Sequence, residues 1–405
     1  AVAGEGYFVN TTGGAVTVNL PAGTAGAVVA IKDYAKTFDS NACTLVQNGS
    51  DKIGGSTTNA IINTKGIAIT LVFIDSTQGW LVTDDGLQSS ASTASFIAAS
   101  GGNATVTCGS FKTHIFTGPG TFCVSATGNA CGSNTVEYLV VAGAAGGSSD
   151  WAGGSGAGGM RTRSISPSAH PINAPANLPV SVQGYPITVG GAGTIGGQNE
   201  LGGQGSSSIF STISSAGGGR SGNEGNNGNG GDGGSGGGGG TGGGPGPGVG
   251  GTGNTPPVSP PQGNPGGQNE NNTTGYTAGG GGAGGAGEGV SPGCNTQIPG
   301  GAGGIGAYIV DGFIGPTAPS YGTSGPVSST RYFAGGGGGA AGSSPRTGGA
   351  GGSGGGGAGG VSTAKGTDGT INTGGGGGGG SGNESPNPGS GGGSGIVMIR
   401  YKFQE

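Results

Sequence analysis

The sequence predicts an all-β protein in which a small N-terminal β domain precedes a β-sandwich with a large inserted glycine-rich polyglycine II helix bundle, and essentially no α-helix. Three observations predict this fold. Of the 405 residues 112 are Gly, and 93 of these lie between residues 143 and 396. Short apolar runs, several with period-two alternation, flank that tract and are typical of strands. No segment combines a helical period with capping residues.

Residues 1–85 contain the first group of predicted strands. Val16, Val18 and Leu20 alternate with polar residues, as expected for a half-buried strand. Further apolar runs are AGAVVAIKDYA, NACTLVQNG, TNAIINTKGIAITLVFID and QGWLVTDD, separated mostly by Gly, Pro, Asn and Asp. We therefore expect a small all-β domain. Its predicted core residues are Val28, Ile31, Leu71, Phe73, Trp80 and Leu81.

A Ser/Ala-rich linker is predicted at 86–101, and a second β unit follows it. ATVTCGSFKTHIFT and TFCVSATGNAC, joined by the turn GPG, predict a hairpin. VEYLVVAG (136–143) has the composition of a strand buried on both faces, and GIVMIRYKF (395–403) is its expected partner beyond the glycine-rich tract. Residues 102–142 with 395–405 are therefore predicted to form the β-sandwich base, and 143–394 the insertion.

The insertion consists of glycine runs separated by turn-forming loops. Collagen is excluded, because runs of five to seven Gly destroy its Gly-X-Y frame. Two interpretations remain: a disordered Gly/Ser linker, and a bundle of polyglycine II helices, which are extended, left-handed and have about three residues per turn. Four segments share a short lead followed by a Gly run: 214–219, 276–287, 332–342 and 371–382.

A polyglycine II bundle depends on hydrogen bonds between neighbouring helices. Each helix lacks internal bonds, and neighbours can pair where no Cβ holds them apart. Ordering Gly costs more backbone entropy than ordering any other residue, and each bond returns only about 0.5–1.5 kcal/mol. Stability therefore requires a lattice with interior helices bonded on all sides. The two bracketing strands favour the lattice, with 279–287, 335–339 and 374–380 side by side.

The composition argues against an enzyme. The net charge is −5 without a basic cluster, so nucleic-acid binding is not expected. The chain has two His, His114 and His170, and we expect no metal and no cofactor. His114 is expected to be structural. The G-x-S-x-G match at 351–355 lies in a Gly/Ser tract without a strand-to-helix context, and the adjacent Asp84 and Asp85 point to opposite faces of a strand. No catalytic residue is predicted.

One disulfide is a candidate. A hairpin folded about the turn at Gly118–Gly120 places Phe116 opposite Cys123 and Cys108 opposite Cys131. Non-hydrogen-bonded antiparallel neighbours meet the Cα spacing that a disulfide requires. The alternative is that all five Cys are small buried hydrophobes.

The framework FKTHIFTGPGTFCVS…VEYLVVAG…GGMRTR…PITVGGAG…YFAGGGGG…GGSGIVMIRYKF resembles the glycine-rich domains of bacteriophage tail-fibre proteins, notably of marine and cyanobacterial phages. These domains are similar to the polyglycine-sandwich adhesin at the fibre tip of some contractile-tailed Salmonella phages. The stretch YFVNTTGGAVTVNLPAGTAGAVVAIKDYA also looks like a small β domain of phage fibres. Together the two resemblances cover almost the whole chain.

The resemblance implies a virion tail-fibre or receptor-binding adhesin, extracellular, that attaches to the host without catalysis. It further implies a homotrimer whose partners are other virion tail proteins and a host receptor, either an outer membrane protein or a polysaccharide. A second interpretation is a structural extracellular or surface fibre protein of a microbe. Long rows of identical subunits would favour that second interpretation, and a few copies at the end of a tail would favour the adhesin.

Receptor binding is predicted in the loops, because exposed loops on a rigid scaffold carry recognition. The regions 254–275 and 307–331 are the candidates, since aromatic faces there can pack against sugar rings or a protein surface. The alternative is that these aromatic residues cover the edge of the bundle. The individual candidates are Asn271, Asn272, Tyr276, Tyr308, Phe313, Tyr321, Tyr332 and Phe333.

Overall fold

The computed structural model divides the chain into two compact units, Ala1–Thr93 and Ala94–Glu405. Its described residues contain strands, two single-turn 3₁₀ helices (Glu224–Asn226 and Asp311–Phe313) and no α-helix, which confirms the all-β prediction. The structure describes residues 1–87, 94–129, 132–164, 172–197, 200–242, 246–270, 275–291, 299–315, 321–342, 346–382 and 389–404.

The first unit contains two sheets, with strand orders β1-β3-β6-β7 and β2-β4-β5. Its core contains the predicted Ile31, Leu71, Phe73 and Trp80. Val28 is exposed instead, because successive strand residues face opposite sides and Val29 shares the inner face with Ile31. Leu81, next to Trp80, is partly exposed for the same reason. The strands are β1 (Glu5–Val9), β2 (Val16–Asn19), β3 (Val28–Asp33), β4 (Cys43–Val46), β5 (Ala60–Ile62), β6 (Ile67–Asp75) and β7 (Gly79–Leu87).

Asp33 holds the loops beside β3 through its buried carboxylate. The N–H groups of Thr37, Phe38 and Gly66 donate to it at 3.1, 3.2 and 2.8 Å. Burial raises the pKa of Asp33, but these donors, together with the N–H of Lys36, outweigh burial and lower the pKa below its usual value. The ionised carboxylate therefore stabilises this unit.

The second unit is built on a sandwich of two sheets, one with strand order β13-β12-β20-β10-β9 and the other with order β17-β16-β15-β11-β8; β14 also pairs with β12. Phe122, Tyr401 and Val397 lie in the core between them. The strands are β8 (Ala98–Ser100), β9 (Ala104–Cys108), β10 (Phe111–Phe116), β11 (Gly120–Ala126), β12 (Thr135–Val141), β13 (Met160–Arg163), β14 (Leu178–Pro179), β15 (Gly184–Thr188), β16 (Ser208–Phe210), β17 (Ile213–Ser215), β18 (Ala307–Val310), β19 (Thr330–Phe333) and β20 (Ile396–Lys402).

The predicted pairing of the two apolar strands is confirmed. β12 pairs with β20 antiparallel over five residues, from Glu137 opposite Arg400 to Val141 opposite Ile396. The first of these pairs is also an ion pair, with Arg400 Nη1 2.6 Å from Glu137 Oε2, and both residues are largely buried. Val397 is fully buried at the centre of β20. The chain therefore returns to this sheet after the whole insertion, and its last strand, β20, pairs beside β12.

The predicted hairpin about Gly118–Gly120 is wrong. β10 pairs with β9 and β20 in one sheet, while β11 pairs with β15 and β8 in the other, so the turn carries the chain from sheet to sheet. Phe116 lies opposite Val397, and Cys123 lies opposite Gly184. The register that placed Cys108 opposite Cys131 is therefore lost. Cys108 is a free thiol, and Cys131 lies outside the described residues.

The predicted domain limits also shift. β7 continues to Leu87, and β8, which lies inside the predicted 86–101 linker, pairs with β11 in the sandwich. The base is larger than predicted, because β13, β15, β16 and β17 come from the inserted region 143–394. The hairpin β18–β19 also lies within the insertion. The glycine tract therefore contributes strands to the sandwich as well as the bundle above it.

The glycine-rich segments form a lattice with a period of three residues. In the segment 152–159, successive N–H groups donate in turn to 374–380, 216–222 and 278–281, and this cycle repeats at every third residue with N···O distances of 2.8–3.0 Å. Its carbonyl groups accept from three further segments. The segment thus has six hydrogen-bonded neighbours, which is the arrangement expected inside a polyglycine II bundle.

The segments predicted to lie side by side do so. Gly376 and Gly379 donate to the carbonyls of Gly335 and Gly338 at 2.8 and 2.9 Å, and Gly280 donates to Gly337 at 2.8 Å. One detail of the prediction is wrong, because a bend at 283–285 divides 279–287 into two passes. Most interior glycines have a neighbouring backbone atom where a Cβ would lie, so the lattice excludes side chains.

Candidate binding surface at the end of the glycine bundle

The glycine segments run back and forth between two ends of the bundle. β12 leads directly into 142–147, and 152–159 leads directly into β13. The turn between them, 148–151, therefore lies at the end away from the sandwich. We call this the distal end, and the end beside the sandwich the proximal end.

The turn 148–151 is held by its neighbours at the distal end. Ser148 and Ser221 are buried, and their hydroxyl oxygens lie 3.1 Å apart. Asp150 and Trp151 have φ values of 58° and 55°, a left-handed conformation that non-Gly residues adopt at a cost. Three backbone N–H groups from other segments bond this turn: Gly380 to Ser148, Glu224 to Asp150 and Thr241 to Trp151. The turn is thus fixed despite the cost of its backbone.

Both candidate loop regions have residues at the proximal end. Gln262 accepts from the N–H of Met160 in β13 at 2.8 Å, which places this part of 254–275 at the proximal end. Thr113 of β10 donates to the Phe313 carbonyl at 2.8 Å, so the second region is proximal as well. Tyr276, by contrast, bridges to Ala341 beside the distal turns. Asn271 and Asn272 lie outside the described residues.

Three of the aromatic candidates are core residues. Phe313 and Phe333 are fully buried, and Tyr332 is 3% exposed. Both phenylalanines pack with Met398 and Ile115 against the face of the six-stranded sheet that points away from the sandwich core. They cannot contact a receptor in this conformation, because they fill a face to which the glycine segments contribute only small side chains such as Ala157 and Ala283.

The remaining aromatic candidates are partly exposed. The rings of Tyr308 and Tyr332 lie 5.2 Å apart across the β18–β19 hairpin. Tyr321 packs at the margin of the cluster formed with Phe333, and its carbonyl accepts from Arg331. Tyr276 is stacked with Arg346, whose Cζ lies 4.4 Å from the ring centroid. Of these aromatic residues, Tyr276 alone lies at the distal end.

His114 has a structural role, in agreement with the sequence interpretation. It is 2% exposed, with Nδ1 2.6 Å from the Gly101 carbonyl and Nε2 3.1 Å from the Tyr401 hydroxyl. A carbonyl can only accept, so Nδ1 carries the proton and Tyr401 donates to Nε2. Burial lowers the pKa of His114, and nearby Lys112 acts in the same direction. The neutral imidazole therefore links β10 to β20.

Two residues of the distal surface were missed by sequence reasoning. Trp151 and Arg346 follow no binding motif, and both stand in short polar interruptions between Gly runs. The available signal was their size: a large side chain in such a turn cannot enter the lattice and must lie on its outside. Among the described residues there is no group of three or more His, Cys, Asp and Glu able to hold a metal. Nor does any helix among them have the length and apolar character to span a membrane.

The chain matches the model of a known protein family. A family model described as a glycine-rich domain matches residues 116–402, which includes the sandwich strands from the end of β10 to β20 and all of the bundle. No curated protein matches the sequence. Since the match covers well over half of the chain, the protein belongs to the glycine-rich domain family.

Proposed function

We propose that this protein is a receptor-binding adhesin of a bacteriophage tail fibre, which attaches the virion to its host by contacts from loops at the distal end of the glycine bundle. The observation that carries the proposal is the period-three lattice, which holds a set of turns at the end of the bundle away from the sandwich. Recognition without catalysis needs exposed loops on a rigid scaffold.

The lattice supplies that support. Interior segments such as 152–159 are hydrogen bonded on all sides. This segment continues into β13, and the neighbouring segment 142–147 follows directly from β12. Ser208 and Ser215 strengthen this junction by donating to the carbonyls of Val141 and Val140 at 2.7 and 2.8 Å. Distal turns are thereby fixed to the sheet through backbone bonds. Loops that are ordered before binding lose less entropy when they bind.

The distal turns also offer varied chemistry. Glu224, Glu270 and Val249 are exposed there, beside the partly exposed Trp151 and Tyr276. Several weak contacts of this kind combine through effective concentration when a fibre carries more than one copy. In the proposed virion the first unit joins the fibre, and the chain is a homotrimer bound to other tail proteins. Light scattering should then give about three times the 37.3 kDa of one chain.

Steric blocking tests which end binds. Fluorescently labelled protein is incubated with a panel of marine cyanobacterial and other bacterial strains and counted by flow cytometry. A polyethylene glycol maleimide is attached to Glu224→Cys, at the distal end, in a background in which Cys108, Cys123, Cys131 and Cys294 are replaced by Ser; Cys43 is buried. The matched control carries the same polymer on the native Cys123, which is exposed on β11 of the sandwich, with Cys108, Cys131 and Cys294 replaced by Ser. We expect distal modification to abolish binding to the recognised strain and sandwich modification to leave it.

Two outcomes would contradict the proposal. Equal binding after both modifications would remove the distal surface from recognition. Absence of binding to any strain, together with long filaments of the purified protein in electron micrographs, would favour a structural microbial fibre. Gold-labelled antibodies against the chain, applied to phage particles, should mark the ends of tails.

A further inference from the structure

Trp151, Tyr276 and Arg346 come together at the distal end although they belong to three different turns. The Arg346 guanidinium lies over the Tyr276 ring, 4.4 Å from its centroid. A Cβ placed on Gly342 would lie 2.7 Å from Arg346 Nη1 and 3.5 Å from Trp151 Cη2, so both side chains border the same backbone. All three side chains are partly exposed.

Two glycines make this arrangement possible. The N–H of Gly342 donates to the Gly275 carbonyl at 2.9 Å, which joins two neighbouring turns. A Cβ on Gly275 would overlap Arg346 Nη1, and its φ of 146° also favours glycine. The guanidinium therefore lies across bare backbone and is held in place before any ligand arrives.

The cluster has unused binding capacity. Arg346 forms no ion pair or side-chain hydrogen bond with another described residue, so its N–H donors are free within the described part of the chain. A guanidinium binds a carboxylate or phosphate through two parallel bonds in its plane while an aromatic ring covers its face. An anion beside flat aromatic rings is the complementary ligand.

We propose that Trp151, Tyr276 and Arg346 bind an anionic sugar, a pyranose that carries a carboxylate or a phosphate. Arg346 holds the anionic group, and the two aromatic rings pack against the sugar ring. The proposal names the ligand class of the adhesin described above and rests on that function for its biological setting. A neutral sugar lacks the anion and should bind far more weakly.

Tryptophan fluorescence gives a local test on the full chain. The chain has two Trp, and Trp80 is fully buried in the first unit, so a ligand at the cluster changes the emission of Trp151. The probes are tetragalacturonate for the carboxylate, mannose 6-phosphate for the phosphate, and neutral maltotetraose. We expect saturable changes with one or both charged sugars, at concentrations at least about tenfold lower than for maltotetraose; which of them binds identifies the anion. Equal response to the neutral sugar, or no response to any probe, would overturn the proposal.

Charge variants complete the test. Arg346→Ala should weaken binding of the charged sugar by about 10- to 100-fold, the range expected for hydrogen bonds to a charged group. Lys365→Ala is the matched control, since it removes an exposed cation from the neighbouring distal turn 361–365, and it should change affinity less than about twofold. Arg346→Gln, which keeps a polar side chain of similar length, guards against misfolding and should also bind weakly. Unchanged affinity in both Arg346 variants would overturn the proposal.

The cell assay separates this inference from the proposed function. Binding to cells without binding to the charged sugars would overturn the anionic-sugar site and leave the adhesin. Binding to the charged sugars without binding to cells would support the site and contradict the adhesin.

Discussion

Adding one methyl group inside the lattice should destabilise the second unit measurably. A Cβ on Gly337 would overlap the carbonyl oxygen of Gly377 and lie 2.7 Å from its carbon, whereas ordinary contacts begin near about 3.4 Å. In Gly337→Ala the two segments must therefore separate by about 1 Å. The bonds that join them, from Gly376 to Gly335 and from Gly379 to Gly338, would then lengthen beyond hydrogen-bonding range.

The cost follows from the groups left unpaired. Each of the two broken bonds leaves buried backbone groups without partners, at about 1–3 kcal/mol per bond, so the expected loss is about 2–6 kcal/mol. For a unit of this size that corresponds to a fall in melting temperature of roughly 3–9 °C, measured by differential scanning calorimetry. Gly191→Ala is the matched control, because nothing lies within 4 Å of a Cβ there. An unchanged melting temperature for Gly337→Ala, or equal effects of the two substitutions, would refute the lattice argument.

Buried polar groups supply three further predictions. Glu137→Ala leaves Arg400 buried without its ion-pair partner, so calorimetry should show a loss of about 3–5 kcal/mol, and a loss below 1 kcal/mol would contradict it. Burial lowers the pKa of His114, so the contribution of its neutral imidazole to the free energy of unfolding is complete above the ordinary pKa of 6.5. This stability is lost as the pH falls through the lowered pKa. Thermal melts across this pH range should show a loss of stability that His114→Gln lacks. The pKa of Asp33 is lowered, so its ionised carboxylate stabilises the first unit fully above the ordinary pKa of 3.8, and this stabilisation is lost as the pH falls through the lowered pKa. Asp33→Asn should lower the stability at pH 7 and reduce this acid sensitivity. An unchanged pH profile of stability would contradict the prediction.

The fold could be predicted where the composition of a whole strand indicated its place in the sheet, and not where only a short turn motif was available. β12 and β20 were paired correctly because both are continuously apolar, which is typical of central strands. The turn at 118–120 gave a wrong prediction because it was interpreted from local chemistry alone. Its local chemistry fits a hairpin, yet β10 and β11 must each give an apolar face to a different sheet of the sandwich. Burial across the sandwich decided the pairing, and no short-range signal contains that information.

The candidate site was harder to predict because an aromatic residue beside a Gly run has two physical uses. Phe313 and Phe333 fill the outer face of the six-stranded sheet, where the glycine segments contribute only small side chains such as Ala157 and Ala283. Tyr276 has the same sequence context and lies at the distal end beside Arg346. The sequences around Tyr276 (YTAGGGG) and Phe333 (YFAGGGG) are nearly alike. What differs is the end of the bundle at which the residue stands.

That end follows from counting passes, because successive glycine segments alternate in direction. The pass after β12 leads to the distal turn 148–151, and the next pass returns to β13. Continuing the alternation makes the bend at 283–285 proximal and the turn 361–365 distal, in agreement with the hydrogen bonds that each region makes. The shared lead-and-run form is therefore no guide to position: 276–287 begins at the distal end, whereas 332–342 begins at the sandwich. Because each pass reverses the chain, inserting an odd number of additional passes would move every later turn to the opposite end.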